Sequence, residues 1–457
     1  MKFNRSAVPQ AGKEIKFKLP EIKNFLVNDS LKVLFIKKDD LPIIRFSMLV
    51  NAGSRFDELN KNGLANLLAL CIDEGAGPYD SMSLSSEFDL LGTHFSISAD
   101  DDVMFFTVQT LNENFERSLE LFSNVLLRPH LSPKDFERQK RKTLTSLIQL
   151  NNEPDYIASK LFNKMVFGEN NPYAYPVIGE EISVKEISAE DLQKKFISSF
   201  SPTNSVLIVV GSITEEELIN KLNQYLGDWK AKPFFYSEIS QSKKKNKTIY
   251  IFNKDESVQT EIRVGHLSAL RSESDYFPKK ILNTILGGQF NSRININLRE
   301  KNGFTYGARS SFDYYREGAC FNISTSVSNG NTAAALKEII KELELIRTGI
   351  EDSELEFAKS LIVRKFPSSF ETYRQIIANL STKLIFSLND NFFDDYISNC
   401  EMVSKEQVEK AAKDSIWPDN LIIVLAGKKS EIIEQLRDFN GWAINEIDLS
   451  GQIVSQQ

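Results

Sequence analysis

The chain repeats its own pattern of strands and helices once, with a period of about 216 residues. Residues 105–110, Phe-Phe-Thr-Val-Gln-Thr, correspond to residues 321–326, Phe-Asn-Ile-Ser-Thr-Ser. In both copies a stripe of apolar residues at helical spacing follows, including Phe115 in the first and Leu336 in the second. Because solenoid repeats are only ~20–50 residues long, this period indicates two duplicated domains.

Each half contains a run of strands followed by paired helices, rather than a strict alternation of the two. This order predicts an α+β fold, in which each domain has a mostly antiparallel sheet with helices packed on one face. The predicted domains are residues 1–229 and 248–457. Residues 230–247 contain Pro233 and a cluster of lysines, and this segment is predicted to be the linker.

The 457-residue chain carries a net charge of −7, so neither nucleic acid nor an anionic membrane is expected as its partner. No run of about 18 apolar residues is present, which predicts that nothing spans a bilayer. Met1 is not followed by the apolar segment of a secretory signal. Three scattered cysteines fit a reducing compartment. The cytoplasm is therefore predicted, and an exported form whose signal has been removed stays open.

Side chains that could bind a metal are few and scattered. His94, His130 and His266 never fall at a short ligand spacing, and no Cys-x-x-Cys is present. We therefore predict that each histidine is exposed or hydrogen-bonded within the fold, while a composite metal site of one histidine with distant carboxylates stays open. The three consecutive aspartates at 100–102 lack the spaced ligands of a calcium loop, and they are predicted to form a solvated turn between two strands.

One apolar segment has the order of a known metal-binding helix. Residues 63–75 read Gly-Leu-Ala-Asn-Leu-Leu-Ala-Leu-Cys-Ile-Asp-Glu-Gly. This segment resembles the zinc helix of the pitrilysin, insulin-degrading enzyme and mitochondrial processing peptidase superfamily, and the resemblance extends over residues 15–440. In active members the helix carries H-x-x-E-H, which supplies two zinc ligands and a general base. The matching positions are Asn66, Ala69 and Leu70.

The third zinc ligand of the family is also missing. A glutamate is expected about 76 residues beyond the second histidine position, where this chain has Ser146, and residues 142–152 contain no glutamate. Alanine and leucine have no lone pair for a metal, and an asparagine amide is a poor zinc ligand. We predict that this chain alone holds no metal or other cofactor and hydrolyses no peptide.

Residues 285–310 resemble the segment with which the metal-free half of these peptidases reaches into the zinc chamber. Arg299 and Tyr306 have the family's seven-residue spacing, with Asn302-Gly303 between them. The resemblance implies that the arginine holds substrate carbonyls and that the tyrosine hydroxyl stabilises an oxyanion. A structural alternative is a helix that ends at Asn302-Gly303, with Arg299 opposing the helix dipole and Tyr306 beginning a strand.

Residues 93–98 match the edge strand that, in active relatives, pairs with an extended peptide. An ordinary sheet strand is the alternative. The resemblance also implies that the two halves of this chain form half of a clam-shell around a central chamber.

Two main functional hypotheses follow. The first is a non-catalytic subunit of a heterodimeric zinc metallopeptidase, which supplies Arg299 and Tyr306 to a homologous partner that holds the zinc and cleaves a peptide substrate. The second is a scaffold protein without peptidase function, comparable with the core proteins of the respiratory cytochrome bc complex. A peptide-binding or chaperone-like homodimer is a third possibility. A pure scaffold has no reason to keep Arg299 and Tyr306 at this spacing, which favours the first hypothesis.

Overall fold

The computed structural model describes residues 18–234, 239, 247–271 and 274–456. Most of the predicted linker, including the lysines at 243–245, lies outside the described residues. The strands are, in chain order, β1 (Lys23–Val27), β2 (Leu31–Lys37), β3 (Ile43–Val50), β4 (Gly75–Ala76), β5 (Tyr79–Asp80), β6 (His94–Ala99), β7 (Met104–Leu111), β8 (Ser205–Gly211), β9 (Thr248–Asn253), β10 (Gln259–Leu267), β11 (Ala308–Tyr315), β12 (Gly318–Ser328), β13 (Ile422–Gly427), β14 (Ala443–Ile447) and β15 (Ile453–Gln456).

The helices are α1 (Leu64–Cys71), α2 (Ser81–Leu90), α3 (Phe115–Leu127), α4 (Pro133–Leu150), α5 (Pro154–Phe167), α6 (Glu181–Glu186), α7 (Ala189–Ser199), α8 (Glu215–Leu226), α9 (Tyr276–Leu286), α10 (Arg293–Asn295), α11 (Thr332–Leu345), α12 (Asp352–Lys365), α13 (Tyr373–Ile385), α14 (Tyr396–Glu401), α15 (Lys405–Ser415) and α16 (Lys429–Gln435). A π-helical turn, Ile296–Lys301, continues α10. None of the helices in the described ranges combines the length and apolarity needed to cross a bilayer.

The two halves have the same sheet topology. The first sheet has the order β1-β2-β8-β3-β7-β6, and the second has the order β11-β12-β10-β13-β9-β14-β15. The series β2-β8-β3-β7-β6 therefore matches β9-β13-β10-β12-β11 strand for strand. In each series the first pair is parallel and the other three pairs are antiparallel. The predicted α+β fold with duplicated, mostly antiparallel sheets is confirmed.

The two halves exchange one helix each. Helix α5 of the first half packs on β10 and β13 of the second sheet, and α13 of the second half packs on β8 and β3 of the first sheet. Gly265 in β10 permits the close approach of α5, because a Cβ there would lie 2.8 Å from the Phe162 ring. Each sheet is thus covered by its own helices on one face, as predicted, and by an exchanged helix on the other face, which corrects the prediction that helices pack on one face alone.

The exchange follows from strands that are apolar on both faces. In β2, Val33 and Phe35 belong to the core formed with the first half's own helices, whereas Leu34 and Ile36 belong to the core that contains α13. A strand buried on both faces is a nearly continuous apolar run rather than an alternating one. The two halves are therefore joined by shared hydrophobic cores, in addition to the covalent connection at 230–247.

Candidate functional site

Helix α1 matches the family's zinc helix, and it begins where Gly63 turns the chain with a φ of 102°. A Cβ at this glycine would lie 2.9 Å from the Ile178 carbonyl oxygen, so both the backbone conformation and the lack of space favour glycine here. The buried Asp57 carboxylate accepts the Ala65 backbone N–H at 3.1 Å and pairs with the Lys195 ammonium at 2.7 Å. A buried ion pair therefore holds the N-terminus of α1.

The positions that matched the zinc motif lie on and beside the outward face of α1. Leu67 and Leu68 are fully buried and pack into the core of the first half. Asn66 is half-buried, and Leu70, one turn further on, is 38% exposed. Ala69 is buried. Where an active relative would present imidazoles and a carboxylate, this helix presents an amide, a methyl group and an isobutyl group.

The residues present do not fit the zinc ion that the fold family implies. Ser146, at the third ligand position, is exposed on α4, which packs against α1. Zinc sites in proteins use thiolate, imidazole and carboxylate ligands, none of which stands at these four positions. Across the described residues, no group of three or more His, Cys, Asp or Glu side chains is arranged to hold a metal.

The histidines occupy the structural roles that were predicted for them. His94 is exposed on β6. The Nε2 atom of His130 lies 2.9 Å from the Gly77 carbonyl oxygen. The buried His266 contacts the carbonyl of the next residue through Nδ1 at 2.8 Å, and its Nε2 accepts the Trp417 N–H at 3.2 Å. The three rings are therefore exposed or hydrogen-bonded within the fold.

The prediction of a solvated turn at residues 100–102 is wrong, because the turn between β6 and β7 lies against the second half of the chain. Asp102 is only 5% exposed. Its carboxylate accepts the Tyr173 hydroxyl at 2.7 Å and the Arg316 backbone N–H at 2.9 Å, and it lies 3.6 Å from the Arg55 guanidinium. The aspartates form part of a buried polar contact between the two halves.

This polar contact predicts a pH dependence of stability. Burial, together with the charge of Asp100, raises the pKa of Asp101 to about 7. An unfolded aspartate has a pKa of about 3.9, so folding disfavours the charged form, and this group lowers stability as the pH rises from about 4 to about 7. We expect the thermal midpoint of Asp101→Asn, measured relative to that of the wild type, to increase as the pH rises through this range. A difference that is constant from pH 4.5 to 8 would contradict the assignment.

Arg299 lies on the π-helical turn Ile296–Lys301. The Asn302 N–H donates to the Asn297 carbonyl oxygen at 3.1 Å, five residues back, and Gly303 leaves the turn with a φ of 65°. The predicted helix end at Asn302-Gly303 is therefore confirmed. Single π-helical turns are rare, and they occur frequently at functional sites because they shift the direction in which a side chain points.

The side chains of Arg299 and Tyr306 contribute little to the protein's own core. The Arg299 guanidinium stacks over the Phe290 ring at 4.4 Å and lies 3.5 Å from the adjacent Glu300 carboxylate, and the side chain is 35% exposed. Tyr306 is 94% exposed and lies two residues before β11. Tyr306 therefore does not begin the strand, in contrast to the structural alternative.

The backbone around Tyr306 is braced although its side chain is exposed. Thr305 Oγ1 donates to the Gly307 carbonyl oxygen at 2.9 Å and accepts the Gly307 N–H at 3.1 Å. Thr325 Oγ1 on β12 donates to the same carbonyl oxygen at 3.1 Å. These bonds hold the two peptide units that follow Tyr306, so its ring is presented from a loop that is hydrogen-bonded on its C-terminal side.

Strand β6 forms an edge of the first sheet. In the described part of the chain it pairs with β7 alone, so one row of its backbone groups is available for pairing. Its side chains alternate between exposed, as at His94 and Ser96, and half-buried, as at Phe95 and Ile97. The predicted edge position is confirmed. Such an edge can pair with an added strand, and backbone pairing of that kind tolerates many peptide sequences.

Comparison with protein families identifies the class of protein that this fold belongs to. Residues 32–180 match the family described as Insulinase (Peptidase family M16), and residues 186–362 match the one described as Peptidase M16 inactive domain. The chain belongs to the M16, or insulinase, family of peptidases and their homologues.

Individual relatives are distant in sequence and similar in length. The chain is 22% identical to a non-peptidase homolog, YmxG, of Helicobacter pylori, over 87% of this chain and 92% of that protein. It is also 22% identical to a probable inactive metalloprotease, YmfF, of Bacillus subtilis, over 71% and 80%. A solved structure described as a peptidase M16 inactive domain from Pseudomonas fluorescens has a TM-score of 0.83 at 24% identity, over 89% and 98%, which shows the shared fold.

The positions of α1 and α4 lead to a metal-binding prediction. We expect the isolated chain, soaked in zinc and then dialysed, to retain no stoichiometric zinc, because Asn66, Leu70 and Ser146 stand where the ligands are needed. It should also cleave no peptide. Elemental analysis checks the first point, and a quenched-fluorescence peptide assay checks the second. One tightly held zinc ion per chain would contradict the prediction.

Proposed function

We propose that this chain is the non-catalytic subunit of a heterodimeric zinc metallopeptidase. A homologous partner would hold the zinc ion and the general base, and this chain would contribute Arg299 and Tyr306 to the partner's active site. The observation that carries the proposal is the contrast between the two halves. The first half has lost its zinc-binding side chains, while the second half presents Arg299 and Tyr306, largely unused by its own core, on a braced segment.

Similar proteins support the inactive character of this subunit. One relative is named a non-peptidase homolog and another a probable inactive metalloprotease, and both align with most of this chain. The isolated chain is proposed to be inactive in the same way. Cys71, Cys320 and Cys400 are all free and buried, and their reduced state is the basis for proposing the cytoplasm as its compartment.

The proposed roles of the two side chains follow from their chemistry. Arg299 carries planar N–H donors that can hold two carbonyl oxygens of an extended peptide in register. Tyr306 carries a hydroxyl that can donate to the negatively charged oxygen of a tetrahedral intermediate. Because Tyr306 is 94% exposed, its hydroxyl is available to a substrate held between two chains. The open edge of β6 could pair with the same extended peptide, and this pairing is part of the proposal.

Reconstitution with an intact homologue tests the proposal. An M16 protein with an intact H-x-x-E-H motif, encoded next to this chain in the same genome, is the partner of choice. We expect neither chain alone to cleave a peptide library, whereas the mixture cleaves it and sediments as a 1:1 complex. A partner that is equally active with and without this chain, while the complex forms, would favour the scaffold alternative. If the two chains form no complex, the proposed heterodimer is wrong.

A further inference from the structure

The second half contains a cavity of 700 Å³ whose lining includes neither Arg299 nor Tyr306. It lies between α9, β11, α12 and α13. In the duplicated fold α9, β11 and α12 correspond to α1, β6 and α4, which frame the degenerate zinc positions in the first half. A volume of this size is typical of sites for small organic ligands, which occupy about 300–1,000 Å³.

The charge of the cavity wall has one sign. Arg271, Lys280 and Lys365 line it, and no aspartate or glutamate is among its lining residues in the described part of the chain. This is unusual for a protein whose net charge is −7. The nearby Asp275 carboxylate is engaged by the buried Lys279 ammonium at 2.9 Å. The positive charge inside the cavity is therefore not balanced by an acidic side chain in its wall.

Aromatic rings hold the two inner cations. The Arg271 guanidinium lies 4.2 Å from the Tyr276 ring centroid and 5.9 Å from that of Tyr314. Its Nε atom is buried and has no hydrogen-bond partner among the described residues. The Lys280 ammonium lies 5.8 Å from the Tyr396 ring centroid and 5.9 Å from that of Tyr276. Stacking of this kind orients a cation and leaves N–H groups for a ligand.

The rest of the wall is apolar with a few amides and hydroxyls. Phe312, Ile362 and Phe366 contribute hydrocarbon surface. Asn379 and Gln289 contribute amide groups that can position a ligand by hydrogen bonds. Filled with water alone, the cavity would leave its cations without an anionic partner. A ligand with an acid group and an apolar body would match both the cationic and the apolar parts of the wall.

We propose that this cavity binds an organic anion, in which an acid group lies next to an aromatic or aliphatic body. Arg271 and Lys280 pair with the acid group at the inner end. The body lies along the Phe312 and Phe366 side of the cavity, and Lys365 contacts the ligand near the exposed rim. The anion is either a free small acid or the C-terminal carboxylate of a peptide, since both present the same chemistry.

Calorimetric titration of the whole chain with matched probes tests this assignment. N-acetylphenylalanine carries the acid group and a ring, and its amide is the uncharged counterpart. We expect the acid to bind with a Kd at or below about 1 mM and at least about tenfold more tightly than the amide, because a hydrogen bond to a charged group is lost. An octapeptide that ends in phenylalanine separates the sources. If it binds at least as tightly as the small acid, the ligand is a peptide C-terminus, and if it is excluded, the ligand is a small acid.

Variants connect the binding to the cavity. Lys280→Met removes the charge and keeps the length of the side chain, and it should weaken binding of N-acetylphenylalanine at least about tenfold. Lys365→Met, at the exposed rim, is the second variant should Lys280→Met fold poorly, and it should weaken binding by at least about threefold. Lys413→Met, at an exposed position on α15 that does not line the cavity, is the charge-matched control. Equal affinity for acid and amide, no binding of any probe at about 5 mM, or equal effects of Lys365→Met and Lys413→Met would overturn the proposal.

Discussion

Leu68→Asp is expected to lower the free energy of unfolding by about 3–5 kcal/mol, the cost of an uncompensated charge in a core. Leu68 is fully buried on α1, and it belongs to the core formed by the first sheet and its own helices. The Lys195 ammonium near the N-terminus of α1 cannot compensate the new carboxylate, because it is already paired with Asp57 at 2.7 Å. Urea denaturation followed by circular dichroism measures the loss.

Leu70→Asp on the same helix is the matched control. Leu70 is 38% exposed, so a carboxylate there can remain hydrated and should cost less than about 1 kcal/mol. The two variants differ only in the face of α1 that carries the charge. If both variants have similar urea midpoints, the buried and outward faces of α1 are not distinguished as described.

The duplicated topology could be predicted from the sequence because it depends on local patterns. The periods of apolar residues mark strands and helices, and their repetition after about 216 residues indicates two copies. The exchange of α5 and α13 could not be predicted in the same way. An amphipathic helix shows that one face is buried, but its pattern does not state which sheet it covers. The only signal was the doubly apolar character of strands such as β2 and β13.

The buried aspartate turn was missed for a related reason. Three consecutive acidic residues have the composition of a solvated turn, and the groups that neutralise Asp102 come from far along the chain. Arg55 precedes it by almost fifty residues, and the Arg316 N–H belongs to the other half. A buried charge requires such partners, and no local pattern reveals them. Tyr173, whose hydroxyl also binds Asp102, gave no signal either.

Prediction of the candidate sites shows the same division. Asn66, Ala69 and Leu70 lie on one contiguous helix, so their loss of metal-binding groups was visible in sequence order. Arg299 and Tyr306 also lie in one short segment, although the π-helical turn and the exposure of Tyr306 became known only from the structure. The cationic cavity was missed because Arg271, Lys280 and Lys365 come from separate elements that meet only in the folded chain.

Tyr306→Phe is expected to reduce the kcat of the reconstituted heterodimer by ~10²–10³, the usual cost of losing one oxyanion donor. The substitution removes a hydroxyl and retains the ring. Because Tyr306 is 94% exposed and its loop is held by Thr305 and Thr325, the thermal midpoint of this chain should be unchanged. Initial rates at saturating peptide measure kcat, and sedimentation confirms that the complex still forms.

Tyr225→Phe is the matched control for that experiment. Its hydroxyl donates to Glu116 at 3.1 Å on the outside of the first half, so removing it should leave kcat at the wild-type value. A loss of activity confined to Tyr306→Phe, with unchanged assembly, requires that the hydroxyl act on the reacting substrate rather than on the fold. If both variants keep the wild-type kcat while the complex forms, Tyr306 has no part in the partner's chemistry. The scaffold hypothesis would then explain the shared fold with fewer assumptions, because it needs only the surfaces of the two halves and no contribution to a reaction.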